Sequence, residues 1–269
     1  MTREAVTRTR AGTFLALEPE LSRDIVEAVG RVVAVRPAGA RAPVLRPLRD
    51  WLPLALGAFL YIELRWLIAG VGMPHADATV IGWEQALFPA DPSRTLALRF
   101  PAAVLSESLH ACYLAYYALV FVPPAVLYLR GRRDAYAVTT LSIVLAFLAS
   151  FVVFMVFPVD GPRFLVGAAA APAGPIRSAT LWLLESASSR GTAFPSSHVA
   201  ASVAAAICAL RFQRPAGYFV ALVAVGLTVG TVYGGFHYAV DAAAGLVVGL
   251  AAAVVAQLLW RARPEAAPS

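Results

Sequence analysis

The chain has 269 residues, 59% of them hydrophobic and only 14% charged, with a mean hydropathy of +0.71. About a quarter of the residues in a soluble domain are charged, so this composition excludes a soluble globular protein and marks an integral membrane one. All 22 basic residues are arginines, the net charge is +6, and the arginines cluster between apolar runs, a topology pattern rather than a nucleic-acid face.

Residues 1–50 carry nine arginines and several prolines, with no apolar run long enough for a signal-peptide core. They read as a basic N-terminal tail in which Asp24 to Val35 forms either a short amphipathic helix on the membrane surface or part of a disordered segment. Residues 51–262 hold six apolar stretches near the roughly 20 residues that cross a bilayer. They lie at 52–72, 108–129, 136–158, 196–212, 217–235 and 239–260. The expected fold is therefore all-α, a polytopic bundle of six transmembrane helices, with a short tail at 263–269. Arginines recur in the N-terminal tail, in Arg130-Gly131-Arg132-Arg133, at Arg211 and Arg214, and at Arg261 and Arg263. With six spans all four groups fall on one side, which the positive-inside rule makes cytoplasmic together with both termini. Cys112 and Cys208 fall inside apolar stretches and read as small buried hydrophobes.

Three segments remain for the extracytoplasmic face. The first, 73–107, holds His75, Asp77, Trp83 and Glu84, and a short interfacial helix near Leu96–Leu105. The second, 159–195, includes Gly161-Pro162-Arg163 and an amphipathic stretch, Ala179–Ala187, suited to a lid. The third is the tight turn Tyr233-Gly234-Gly235-Phe236. His110, at the outer start of the second span, reads as an interfacial histidine or as a pocket residue beside Tyr113 and Tyr117.

This topology brings His198, His237 and Arg163 from three separate segments to one membrane level. His237 and Asp241 are four apart at a helix start and share a face, so the carboxylate can fix the imidazole tautomer and leave the other nitrogen as a nucleophile. The alternative is a buried structural pair. Pro195-Ser196-Ser197 reads as a helix start with a serine cap, whose free amides form a ready anion site. His198 in that first turn can protonate a leaving oxygen.

FPSSH at 194–198, followed by GGFHYAVD at 234–241, resembles the type-2 phosphatidic acid phosphatase superfamily of membrane lipid phosphatases and phosphotransferases. That family carries K-x6-R-P, P-S-G-H and S-R-x5-H-x3-D. The resemblance implies a phosphohistidine on His237, oriented by Asp241, with His198 as acid and then base. Arg163, Ser196 and the amide of Ser197 would bind phosphate. It also implies no metal and no cofactor, and a lipid phosphate or phospholipid as substrate. The sequence departs from the motifs: Ser197 replaces a glycine, Thr231 and Gly230 stand where Arg and Ser are expected, and Val156 stands at the lysine position. Arg190 or Arg177 offers a substitute cation or a solvated loop charge. Such thinning is similar to the inositol phosphorylceramide synthase-like branch, which implies a phosphodiester donor carrying less charge than a monoester. Two other classes compete. A serine hydrolase would use Ser196 or Ser197 with His237 but lacks a G-x-S-x-G elbow. A transporter with a His/Asp relay lacks a visible inverted repeat.

Overall fold

The structure, a computed structural model, describes residues 45–262; the stretch 24–35 and the tail at 263–269 lie outside the described residues. Eleven helices follow in order among them: α1 (Leu45–Val71), α2 (Asp77–Leu87), α3 (Pro92–Arg99), α4 (Ala103–Leu114), α5 (Tyr116–Leu129), α6 (Arg133–Val156), α7 (Pro162–Val166), α8 (Pro175–Ala187), α9 (Ser197–Phe212), α10 (Arg214–Tyr233) and α11 (Ala239–Arg261). No strand forms among the described residues beyond an isolated parallel bridge between Val159 and Thr192.

Among the described residues, four helices are long and apolar enough to cross a membrane: α1 from Pro47, α6, α10 and α11. A fifth span is available if α4 and α5 count as one, but they are bent by 48° at Ala115. The span expected at 108–129 is thus bent, and neither Gly nor Pro stands at the break to announce it. The stretch expected at 196–212 forms α9, whose 16 residues rise only about 24 Å, short of a roughly 30 Å hydrocarbon core. The interfacial helix expected near Leu96–Leu105 is instead the end of α3 and the start of α4. The expected lid stretch is the second part of α8. The helix α2 was not anticipated.

The bundle is organised around α9. Its alanines are buried on more than one side, with Ala201 and Ala205 packed among Leu64, Phe147, Phe151 and Phe154, and Ala200 and Ala204 against Ala146 and Ala252. Small residues let α11 approach it closely. A Cβ on Gly245 would lie 2.5 Å from the Ser196 carbonyl, and one on Gly249 2.5 Å from that of Ala200. At the other end of α9 the arginine-bearing turns meet. Arg132 donates to the Phe212 carbonyl, and Tyr136 donates to that of Asp50 at 2.6 Å. The site residues gather at the opposite end.

Candidate active site

Ser196 is the N-cap of α9; its Oγ accepts weakly from the Val199 amide at 3.4 Å. One residue into the helix, the ring of His198 is enclosed by Tyr116, Tyr113 and Tyr61, with centroids 4.3, 5.4 and 6.4 Å away. Two of these tyrosines flank the break at Ala115, so the bend serves to surround His198. Its ring centroid lies 6.2 Å from that of His237.

His237 is delivered by the turn after α10. The Thr231 carbonyl accepts from the amides of Phe236 (2.9 Å) and His237 (3.1 Å). Gly235 takes φ +69 there, and a Cβ would also lie 2.6 Å from the Ala169 nitrogen, so both conformation and space require glycine. Nδ1 of His237 faces Asp241 Oδ2 at 3.5 Å, an electrostatic approach longer than a hydrogen bond. Nε2 lies 3.2 Å from Ser196 Oγ. Asp241 is fully buried; its Oδ2 accepts from the Tyr238 amide at 2.9 Å, and its backbone carbonyl accepts from the Ser196 amide at 3.0 Å. The starts of α9 and α11 are thereby tied together.

Arg163 sits in α7, its guanidinium donating to Ser188 Oγ at the end of α8 and lying 4.2 Å over the Phe164 ring. Asp77 of α2 holds the loop before it, accepting from the amides of Asp160 (3.1 Å) and Gly161 (3.0 Å). Arg163, His198 and His237 line one cavity, with Asp160, Ser188 and Thr192 among its other walls. Ser196 and Ser197 are buried, and Ser196 meets that cavity through His237. His110 is packed behind, against Phe236 and Tyr233, with Nδ1 on the Ser106 carbonyl at 2.6 Å.

Two polar segments tied at the start of adjoining helices, facing one arginine across a cavity, invite comparison with known families. The PAP2 superfamily model matches residues 79–255. The chain belongs to the PAP2 superfamily. No curated protein and no solved structure matches it. Membership supports a lipid enzyme of the phosphatase or phosphotransferase type, and the apolar helices with the family mark an integral membrane protein.

The departures from the PAP2 motifs have structural reasons. A side chain at Gly230 would strike the Leu109 carbonyl at 2.7 Å. Thr231 is buried and bonds the Thr228 carbonyl at 2.7 Å, too enclosed to meet a phosphate. Val156, at the lysine position, faces outward from α6. Arg190 is engaged by Asp160 at 2.8 Å, and Arg177 by the Ala169 carbonyl at 3.0 Å. Arg163 is the one arginine lining the cavity among the described residues. Sequence reasoning missed a cluster nearby: His75, Asp77 and Asp160 bring one potential ligand atom each within 4.8 Å of one another. Their atoms are already used, Asp160 by His75 (3.0 Å), Arg190 and the Gly191 amide, and Asp77 by the two loop amides.

Burial, reinforced by the charge of Arg163 and opposed by the Ala193 carbonyl, pushes His237 down to about 4 from its usual 6.5. The His237 imidazole therefore stays neutral through weakly acidic pH, and it is protonated only as pH falls through that lowered value. If neutral His237 is required for turnover of a phosphodiester, whose own charge is constant in this range, the acid limb of kcat/KM is expected near pH 4. A limb at the ordinary histidine value would show an exposed imidazole.

Proposed function

We propose that this PAP2 member cleaves or transfers the phosphate of a lipid-linked phosphate at the extracytoplasmic face of the cell membrane, through a phosphohistidine. The observation that carries the reading is the meeting of His237, His198 and Arg163 around one cavity. Nε2 of His237 attacks phosphorus while the P–O bond to the alcohol breaks, and His198 gives that oxygen its proton. Water or an acceptor alcohol then attacks the phosphohistidine, returning its proton to His198 and freeing His237. Arg163, the Ser197 amide and the Ser196 hydroxyl hold the phosphoryl oxygens, the last turning from Nε2 to do so. In this reading residues 51–262 form the catalytic domain with six spans, α9 crossing as a short helix wrapped by its neighbours. The basic segments on either side are cytoplasmic. Both chemical roles fall on side chains, so turnover is expected to be unchanged in EDTA; its loss on chelation would contradict the scheme.

A phosphodiester donor, with the alcohol of a second lipid as acceptor, is favoured by a specific feature. The cavity offers one arginine, the Asp160 carboxylate on its wall being already paired with Arg190, so a dianionic monoester meets a single cation there. Headgroup exchange from a phospholipid should then exceed release of free phosphate from phosphatidic acid, and robust monoesterase activity without transfer would overturn it. The series Ser196–His237–Asp241 also has the order of a serine-hydrolase triad. Ser196 is 0% exposed and His237 5%, so the histidine is the better placed nucleophile. Ser196→Ala is expected to slow turnover by about 10- to 100-fold with the phosphoryl group still carried on histidine, whereas a triad would lose all activity.

A further inference from the structure

The chemistry proposed above makes no use of α2, yet this helix touches every segment that carries it. Val80 shares a core cluster with Val159, Ala193, Tyr238 and Val240. Trp83 stacks on Phe157 at 5.8 Å and meets Phe194 at 5.5 Å. Its two acidic residues do something more specific. Glu84 is 2% exposed, and its Oε1 and Oε2 accept from the amides of Ala239 (2.9 Å) and Val240 (3.0 Å), the first two of α11. Asp77 accepts in the same two-amide manner from Asp160 and Gly161, just before Arg163. The two carboxylates are seven residues apart, two helical turns, so they share a face about 10.5 Å apart along the axis.

A buried carboxylate without a cation is costly unless hydrogen bonds repay it, and two orphan amides at the positive end of a helix are such a repayment. Burial pushes the Glu84 carboxyl up, as do the nearby Asp91 and Asp241, while the two amides oppose. The local capping box of α11, formed by Tyr238 and Asp241, leaves the amides of Ala239 and Val240 to be met from elsewhere. The N-cap of the helix is Tyr238, and the only acidic residue of its first turn is Asp241, which already takes the Tyr238 amide and faces His237. Glu84, 155 residues upstream of Ala239, takes the two amides that this box leaves open and so completes the helix start that carries Asp241.

We infer that α2 is a strut that sets the placement of nucleophile against phosphate site, with Glu84 the positioning residue for His237 and Asp241, and Asp77 the positioning residue for Arg163. The inference rests on the phosphohistidine reading. It separates the two residues by what they control. Glu84 governs the reactivity of His237, and Asp77 governs the hold on the phosphoryl oxygens.

The test is rapid-quench phosphorylation of the full-length protein by ³²P-labelled phosphatidylinositol in detergent micelles, with the inhibition constant of inorganic phosphate measured alongside. The first-order rate constant of phosphohistidine formation does not depend on the fraction of folded enzyme, whereas the amplitude does. Glu84→Gln, which keeps the shape but loses one acceptor, is expected to lower that rate constant about 10-fold or more with the phosphate constant within about 2-fold. Asp77→Asn is expected to weaken phosphate inhibition about 5-fold or more with the saturated rate constant little changed. Loss of amplitude alone in both variants, or the same shift in both parameters, overturns the strut while leaving the phosphohistidine in place. No phosphohistidine in the unsubstituted protein overturns the proposed reaction, and the strut's role with it.

Discussion

Replacing His237 with alanine is expected to lower kcat for any accepted lipid phosphate by about 10⁴-fold or more, the range seen when a covalent nucleophile is removed. The expectation follows from its position. His237 borders the cavity that Arg163 also lines, and burial favours its neutral form there. No neighbour replaces it: His198 is 6.2 Å away between centroids and enclosed by tyrosines, and Ser196 is covered. The measurement is turnover in mixed micelles at neutral pH, with the variant's elution and unfolding temperature confirming an intact bundle. Residual activity within 10-fold of the parent would move the nucleophile elsewhere.

His198→Ala is expected to give the second large effect, with a selective signature, because the proposed scheme makes it the general acid. A general acid contributes about 10²- to 10⁴-fold when the leaving alcohol is poor, and little when the leaving group departs without a proton. The variant is therefore expected to lose activity of that order toward an alkyl phosphoester but much less toward a p-nitrophenyl ester. Comparing kcat for the two esters in parent and variant checks this. An equal loss on both would make His198 a packing residue of the tyrosine cage.

What the sequence made legible, and what it did not, divides by the range of the interaction. The long apolar runs of α6, α10 and α11 are visible because hydrocarbon demands some 20 apolar residues wherever a helix crosses. His237 and Asp241 are visible because a four-residue spacing on one helix is a local fact. The break at Ala115 carries no local mark, and only the packing of Tyr113 and Tyr116 on His198 gives it meaning. Glu84 stood out as an acid in an outer segment, but its role depends on amides 155 residues away. Thr231 read as a missing cation. Its carbonyl in fact shapes the turn that presents His237, a backbone role that side-chain identity does not disclose.

The most direct test of the central claim is the chemistry of the covalent intermediate. The protein is quenched in alkali during turnover of a ³²P-labelled lipid phosphate, digested, and the labelled peptide identified. The expected label survives alkali, is lost in acid, and maps to the peptide bearing His237. Label that survives acid and maps to Ser196, or turnover at full rate with no labelled protein under any quench, would contradict the claim.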